Sequence, residues 1–227
     1  LENNYRLEPT RTVYIPHWSA VESMCPLLKE QSRFARQWEI EGKFIVQYSG
    51  NMGLWHDIDS LVNTAHSLQE DDDIRFVFIG GGIRKSAATK LAAKLGVTNI
   101  IWENFLPLNK LQESLAACDV SLISLRSGLE GVAVPCKLYG ILASGRAVVA
   151  QVPSTSEIAH TIRENNCGVV VEPNGHGHLS RVLLHLKNNP RKVLEMGENA
   201  FSAYETKYTV DLAADRLNKY LAPGCSR

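Results

Sequence analysis

The chain has 227 residues, 44% of them hydrophobic, and its 24 Lys and Arg are balanced by 24 Asp and Glu. That length fits one large domain, or one domain with appended segments, and the cancelling charges argue against a global field that recruits nucleic acid or an anionic membrane. Five cysteines (Cys25, Cys118, Cys136, Cys167, Cys225) with no C-x-x-C pair support neither a disulfide scaffold nor a zinc knuckle, and no apolar run approaches the roughly 20 residues that span a bilayer.

Residues 1–42 carry Pro9, Pro16 and Pro26 and the polar stretch KEQSRFARQWEIEGK, which reads as a linker ending in a short helix. The opening LENNYRLEPTRTVYIPHW has neither an initiator Met nor a signal-peptide pattern and is expected to be the tail of something longer. From residue 43 a strand, loop, helix unit recurs. FIVQYS (44–49) predicts a strand, and the helical spacing of Ile58, Leu61, Val62, Ala65 and Leu68 predicts a helix over 57–68. Further strands are predicted at 74–80, 99–102, 119–125, 146–151 and 168–172. Helices follow them near 84–95, 109–117, from Pro135, at 156–164 and at 177–186. Alternating strands and helices imply parallel pairing through right-handed crossovers. The expected fold is α/β, a Rossmann-like doubly wound parallel sheet of about six strands with helices on both faces. Residues 190–221 hold two more helical stretches, the second with an apolar stripe (Ala213, Leu217, Tyr220, Leu221) that must pack against something.

In such a sheet the ligand sits beyond the carboxyl ends of the strands. The first loop there, SGNMGLWHD, places Gly50 and Gly53 where backbone N–H groups form either an anion nest or a tight turn. The second, IGGGIRK, has Lys85 where a dinucleotide fingerprint needs its third glycine, so a NAD-dependent oxidoreductase ranks last. The stretch VPCKLYGILASGRAVVA puts Lys137 in the first turn of a helix. A lysine there opposes the helix dipole, so a neighbouring anion explains it better than local stability does. Elsewhere, His176 and His178 lack a third ligand with metal spacing, Asp71, Asp72 and Asp73 read as a solvated turn, and Trp55 either shields a diphosphate or simply packs.

The ordered set YSGNMG, FVFIGGG, GLEGVAVPCKLYGILASGRAVVA and SEIAHTIRENNCGVVVEPN resembles the C-terminal half of GT-B glycosyltransferases, the group-1 type of family 4, over about residues 43–208. VYIPHW resembles the end of that family's N-terminal domain. The resemblance implies two facing Rossmann-like domains with the active site between them. Residues 1–42 would end the N-terminal domain and supply the linker, 43–208 would bind the nucleotide sugar, and 209–227 would cross back to the missing domain. It implies a retaining transferase that makes glycans or polysaccharides from a nucleotide-diphosphate sugar, without metal or cofactor. The acceptor, a glycan or a lipid-linked molecule, would be held by the domain absent here, and this chain alone would transfer no sugar. No nucleic acid or transmembrane segment is expected. The location implied is the cytoplasm, with the full-length protein peripheral at the membrane face.

Residue by residue, the resemblance assigns the donor diphosphate to Gly50, Gly53 and Lys137, with Asn51 of the same loop and Arg84 or Lys85 expected to assist. It assigns the donor sugar and a catalytic role to Glu130, and the base pocket to Glu103, Asn104 and Phe105, mostly through backbone. The departures also matter. The family's second Glu, which holds the ribose, falls on Gly140 counted from Ala-Ser-Gly or on Leu138 counted from Pro135. The family's usual Arg and Lys after the first strand align with Asn51 and His56. These departures keep open a non-catalytic nucleotide-binding regulatory module, and a sugar-nucleotide epimerase of the same two-domain build stays open because its donor binding would look similar.

Overall fold

The structure, a computed structural model, describes residues 13–19, 24–129, 136–173 and 177–221. Six strands, β1 (Phe44–Ser49), β2 (Ile74–Ile79), β3 (Ile100–Glu103), β4 (Val120–Ser124), β5 (Ala147–Gln151) and β6 (Gly168–Val171), form one sheet in the order β3-β2-β1-β4-β5-β6. Every neighbouring pair is parallel. The expected doubly wound α/β sheet is therefore present, and its order reverses between β1 and β4.

The strands read as near-continuous apolar runs because both faces are covered. On one face α1 (Ile58–Ser67), α2 (Lys85–Leu95) and α6 (His178–Lys187) close a core around Val46, Tyr48, Phe76, Phe78 and Leu122. On the other, α4 (Lys137–Ala143), α5 (Glu157–Glu164) and α7 (Pro190–Lys207) pack over Ile123, Val148 and Ala150. The caps follow from sequence. Asp57 accepts from the Ser60 N–H at the start of α1, Ser156 accepts from the Ala159 N–H at the start of α5, and Pro190 occupies the first turn of α7. Gly145 ends α4 with φ +64°, a left-handed turn that a side chain resists, which accounts for the Ala-Ser-Gly spelling before β5.

Three expectations need correction. The helix expected from Pro135 begins at Lys137, and Pro135 lies outside the described residues. The segment expected as a helix from 109 opens as a 3-10 turn, Leu108–Lys110, before α3 (Leu111–Ala116). Asp71 and Asp73 are not merely solvated. Lys187 lies 2.6 Å from Asp71 and 3.7 Å from Asp73, and this hydrogen bond holds the Asp71 carboxyl below its ordinary range.

The polar stretch before β1 also packs. After a 3-10 turn at Lys29–Gln31, a single helical turn (Phe34–Gln37) places Phe34, Trp38 and Ile40 on Ile45, Val77 and Ile79. Further upstream, Tyr14 donates to Glu157, and the Ser19 N–H donates to the Tyr208 carbonyl at 3.3 Å. The last helix, α8 (Val210–Leu221), buries only Ala213 and leaves Tyr220 and Leu221 exposed. Cys25, Cys118 and Cys167 are free, and burial pushes the Cys118 and Cys167 thiols up to about 11. Cys225 lies outside the described residues. Among the described residues no helix is long and apolar enough to cross a membrane.

Candidate active site

The reversal of strand order sends the helices that follow β1 and β4 to opposite faces of the sheet, and folds of this kind place their ligand crevice at the carboxyl ends of those two strands. The loops after β1 and β2 are laced together by backbone bonds. Gly50 N–H donates to Ile79, Met52 N–H to Gly81 and Arg84 N–H to Met52, at 2.9, 2.6 and 2.9 Å. Gly80 makes this lacing possible, since a Cβ there would sit 2.1 Å from the Gly50 carbonyl oxygen, at a φ of +131°. Two N–H groups of the expected nest are thereby occupied. Those of Asn51 and Gly53 have no partner among the described residues.

Lys137 reaches into this crevice from the first position of α4. Its Nζ stands 3.9 Å from the centroid of the Tyr48 ring, a cation-π contact. A Cβ at Gly50 would lie 3.2 Å from both Cε and Nζ, so the glycine makes room for the lysine. The stem is partly exposed, but Nζ is buried with no hydrogen-bond partner among the described residues. Burial pushes the Lys137 pKa down to about 7.

Two further groups complete the floor. The fully buried Tyr48 donates its hydroxyl to the Asn51 carbonyl at 2.8 Å. His56 packs edge-on against Tyr48, and its Nδ1 lies 2.6 Å from the Ser124 carbonyl oxygen. A carbonyl only accepts, so Nδ1 carries the proton and Nε2 of the neutral ring is left as an acceptor. Burial, then the charge of Lys137, lowers the His56 pKa against the opposing effect of that bond.

The remaining expected residues divide into groups that line the crevice and groups that brace it. Asn51 lies between Gly53 and Gly82, where a Cβ on either glycine would meet its amide at 3.1 or 2.4 Å. The Arg84 guanidinium is held by Asp59 of α1. Lys85 donates to the carbonyls of Gly80 and Glu103 and to Asn104 Oδ1 at 2.7, 2.6 and 3.0 Å, clamping the β2 loop to the end of β3. Glu103 accepts from Trp38 Nε1 at 3.0 Å, so its carboxylate braces the upstream segment. Phe105 is exposed and lies over Gly81, where a Cβ would come 3.0 Å from its ring. Leu54, Trp55 and Ile83 are likewise exposed on these loops, giving the crevice an apolar rim. Glu130 and His176 lie outside the described residues. Gly140 faces open space, with no atom within 4 Å of a built Cβ.

Sequence reasoning missed Tyr48 and Ser124. Both close apolar strands, and the only signal for Tyr48 is an aromatic with a polar tip one residue from the end of β1.

A doubly wound parallel sheet with glycine loops at its switch point defines a Rossmann-like α/β domain. The chain belongs to the family described as "Glycosyl transferases group 1", whose model matches residues 30–203. It is 29% identical over 206 residues, 87% of its own length, to a protein of Pseudomonas aeruginosa named "Probable glycosyltransferase WbjE", of which it spans 51%. In fold it is similar to WaaG, described as a glycosyltransferase involved in lipopolysaccharide biosynthesis, with a TM-score of 0.77 and 20% identity over 98% of this chain and 60% of WaaG. It is also similar to Anabaena HepE, solved in complex with UDP-glucose, with a TM-score of 0.71 and 14% identity over 84% of this chain and 51% of that one.

Proposed function

We propose that this chain is the donor half of a retaining GT-B glycosyltransferase and holds the diphosphate of a nucleotide sugar at the β1/β4 switch point. The observation that carries this reading is the Lys137 ammonium, buried without a hydrogen-bond partner among the described residues and directed at Gly50. An uncompensated buried cation is costly, and a diphosphate oxygen supplies both the missing acceptor and the missing charge. Phe105 and Gly81 offer the base an apolar face, and the backbone there is fixed by Lys85.

In the reaction the bond between the anomeric carbon and the diphosphate breaks, its electron pair leaves on the diphosphate oxygen, and an acceptor hydroxyl bonds to the carbon and gives its proton to that departing oxygen. Lys137 and the free N–H groups stabilise the departing charge, a role that a metal ion fills in other sites. Glu130 accepts hydroxyls of the donor sugar. The acceptor, a glycan or lipid-linked molecule, belongs to the half of the protein that this chain lacks, and α8 is the element offered to that half. We place the full-length protein in the cytoplasm, at the membrane face when its acceptor is lipid-linked, and the free thiols of Cys118 and Cys167 fit a reducing compartment.

Thermal-shift and calorimetric titration of the chain with UDP, GDP, ADP and TDP tests this. One diphosphate should stabilise the chain, and a chain indifferent to all four would sink the proposal. A second reading, a nucleotide-binding module without catalysis, is favoured by the neutral His56 where the family carries a lysine. Sugar turnover by the full-length protein decides between the two.

A further inference from the structure

Tyr48 lies one residue from the end of β1, fully buried in the core that holds Phe76 and Phe78. Packing explains an aromatic ring at that position, but it explains neither the hydroxyl nor the lysine laid on the ring face. The Lys137 Nζ stands 3.9 Å from the ring centroid, and the hydroxyl donates to the Asn51 carbonyl at 2.8 Å. Burial pushes the phenol pKa up, so the hydroxyl stays a donor at any pH at which the protein works.

The ring does what a carbonyl or carboxylate would not. Its face attracts an ammonium without accepting a particular N–H, so the charge is held in place while its donors stay uncommitted. Lys85 shows the alternative. An ammonium has three donors, and those of Lys85 go to the carbonyls of Gly80 and Glu103 and to Asn104 Oδ1, which leaves none for a ligand. A Cβ at Gly50 would come 3.2 Å from the Lys137 Nζ, so ring and glycine together fix where the amine stands.

The hydroxyl acts on the loop after β1. The peptide unit between Asn51 and Met52 has its carbonyl held by Tyr48 and its N–H held by the Gly81 carbonyl at 2.6 Å. Rotating that unit breaks both bonds and turns the peptide on either side of it. Those two neighbours carry the N–H groups of Asn51 and Gly53, which have no partner among the described residues. We propose that Tyr48 is a positioning residue that organises both halves of the anion site, its ring holding the Lys137 ammonium and its hydroxyl locking the Asn51–Met52 peptide. That the anion is a diphosphate rests on the reading above. His56, edge-on to the same ring with centroids 6.2 Å apart, is the other titratable group facing Lys137, and Lys137 pairs with no carboxylate among the described residues.

Two variants separate the parts: Tyr48→Phe removes the hydroxyl alone, and Tyr48→Leu removes the ring as well. Without nucleotide, the Lys137 amine is titrated through its Cε resonance by NMR, with the His56 ring followed alongside, and hydrogen exchange is read at the Met52 amide. Calorimetry then gives the Kd for UDP, GDP, ADP and TDP at about pH 6 and pH 8. Tyr48→Phe should leave the lysine's midpoint in place, quicken Met52 exchange severalfold, and raise the Kd of the cognate diphosphate about 3- to 10-fold, as loss of one neutral hydrogen bond does. Tyr48→Leu should also lower the lysine's midpoint by about half a pH unit or more, since the ring favours the charged form. Its extra loss of affinity should be at least about twofold larger at pH 8 than at pH 6, where the free amine is already charged; a purely structural loss would be equal at both. Should Tyr48→Leu misfold by circular dichroism, pentafluorophenylalanine placed at position 48, which keeps the ring's shape and reverses the charge of its face, takes its place. Three results overturn the proposal: a lysine midpoint that loss of the ring face does not move, Met52 exchange and Kd in Tyr48→Phe equal to wild type, or an extra loss equal at the two pH values. A wild-type chain that binds none of the four diphosphates, while both ligand-free readouts move as expected, would remove the diphosphate reading and retain Tyr48 as the residue that positions Lys137 and the loop.

Discussion

Lys137→Met keeps an unbranched stem beside Gly50 and over Tyr48 and removes only the ammonium. A hydrogen bond to a charged group contributes about 1.5–3 kcal/mol, so the Kd for the cognate nucleoside diphosphate should rise roughly 10- to 150-fold. The effect on stability has the opposite sign. Burial holds the folded-state value at about 7, whereas an unfolded lysine titrates near 10.4. Between those values the unfolded state binds more protons, so stability rises with pH across that window, and below pH 7 the full cost of the buried charge is present. The Met variant should therefore melt higher than wild type at about pH 6, with the advantage shrinking towards pH 10. Binding has its own proton signature. At about pH 8 the free amine is mostly neutral, and a bound diphosphate returns it to the ammonium form. Calorimetry in buffers of different ionisation enthalpy should show uptake approaching one proton for wild type and none for the variant. A Kd within twofold of wild type, with no proton uptake at that pH, would refute the assignment of Lys137 to the diphosphate.

At Gly140, where a Cβ meets open space, Gly140→Glu should be tolerated in α4, gain roughly 0.5 kcal/mol of helix stability, and raise the preference for UDP over its 2′,3′-dideoxy analogue in calorimetry. An unaltered preference would place the position away from the ribose. Asp59→Asn releases Arg84 and should tighten diphosphate binding severalfold while lowering stability by about 1 kcal/mol or less, because both side chains of the pair are partly exposed. If Kd does not fall, Arg84 braces α1 and nothing more. Gly80→Ala drives a Cβ onto the Gly50 carbonyl at a positive φ and should cost about 3 kcal/mol or more in urea unfolding. A loss below about 1 kcal/mol would contradict the laced-loop geometry.

The alternation of short apolar runs with 3.6-residue periodicity made the sheet legible, because parallel strands buried on both faces leave no other plausible partner for those helices. Termini moved by a residue or two, where local caps decide. Charge was less legible than shape. Arg84, Lys85 and Lys137 are equivalent as letters, yet Asp59 holds the first, two carbonyls and an amide hold the second, and the third has no hydrogen-bond partner among the described residues. Their partners stand 18 or more residues away in sequence in all but one case, so only the assembled sheet could separate bracing from binding. Glu103 illustrates the same limit, since its carboxylate accepts from Trp38, 65 residues upstream, a contact that its place in the sequence does not announce. Lys187 and Asp71 do so in reverse, turning an acidic run that looked solvated into an ion pair across 116 residues.

Three unfavourable choices coincide at the opening of α4. A lysine occupies its first position, where the dipole repels a cation. Its amine is buried without a hydrogen-bond partner among the described residues. It sits close enough to His56 to lower that ring's pKa, so each group resists the other's charge. Tyr48 offsets part of this through its ring face, a contact of about 2 kcal/mol or so when desolvated. It cannot offset all of it, because a ring supplies no lone pair along the N–H directions. A structural lysine would be expected to find a carbonyl, as Lys85 does with two of them only one loop away. An anion in the crevice reverses all three terms together. It aligns with the dipole, accepts from the amine, and favours protonation of both Lys137 and His56. That common reversal, rather than any single contact, is the physical case for a phosphate at the β1/β4 switch point.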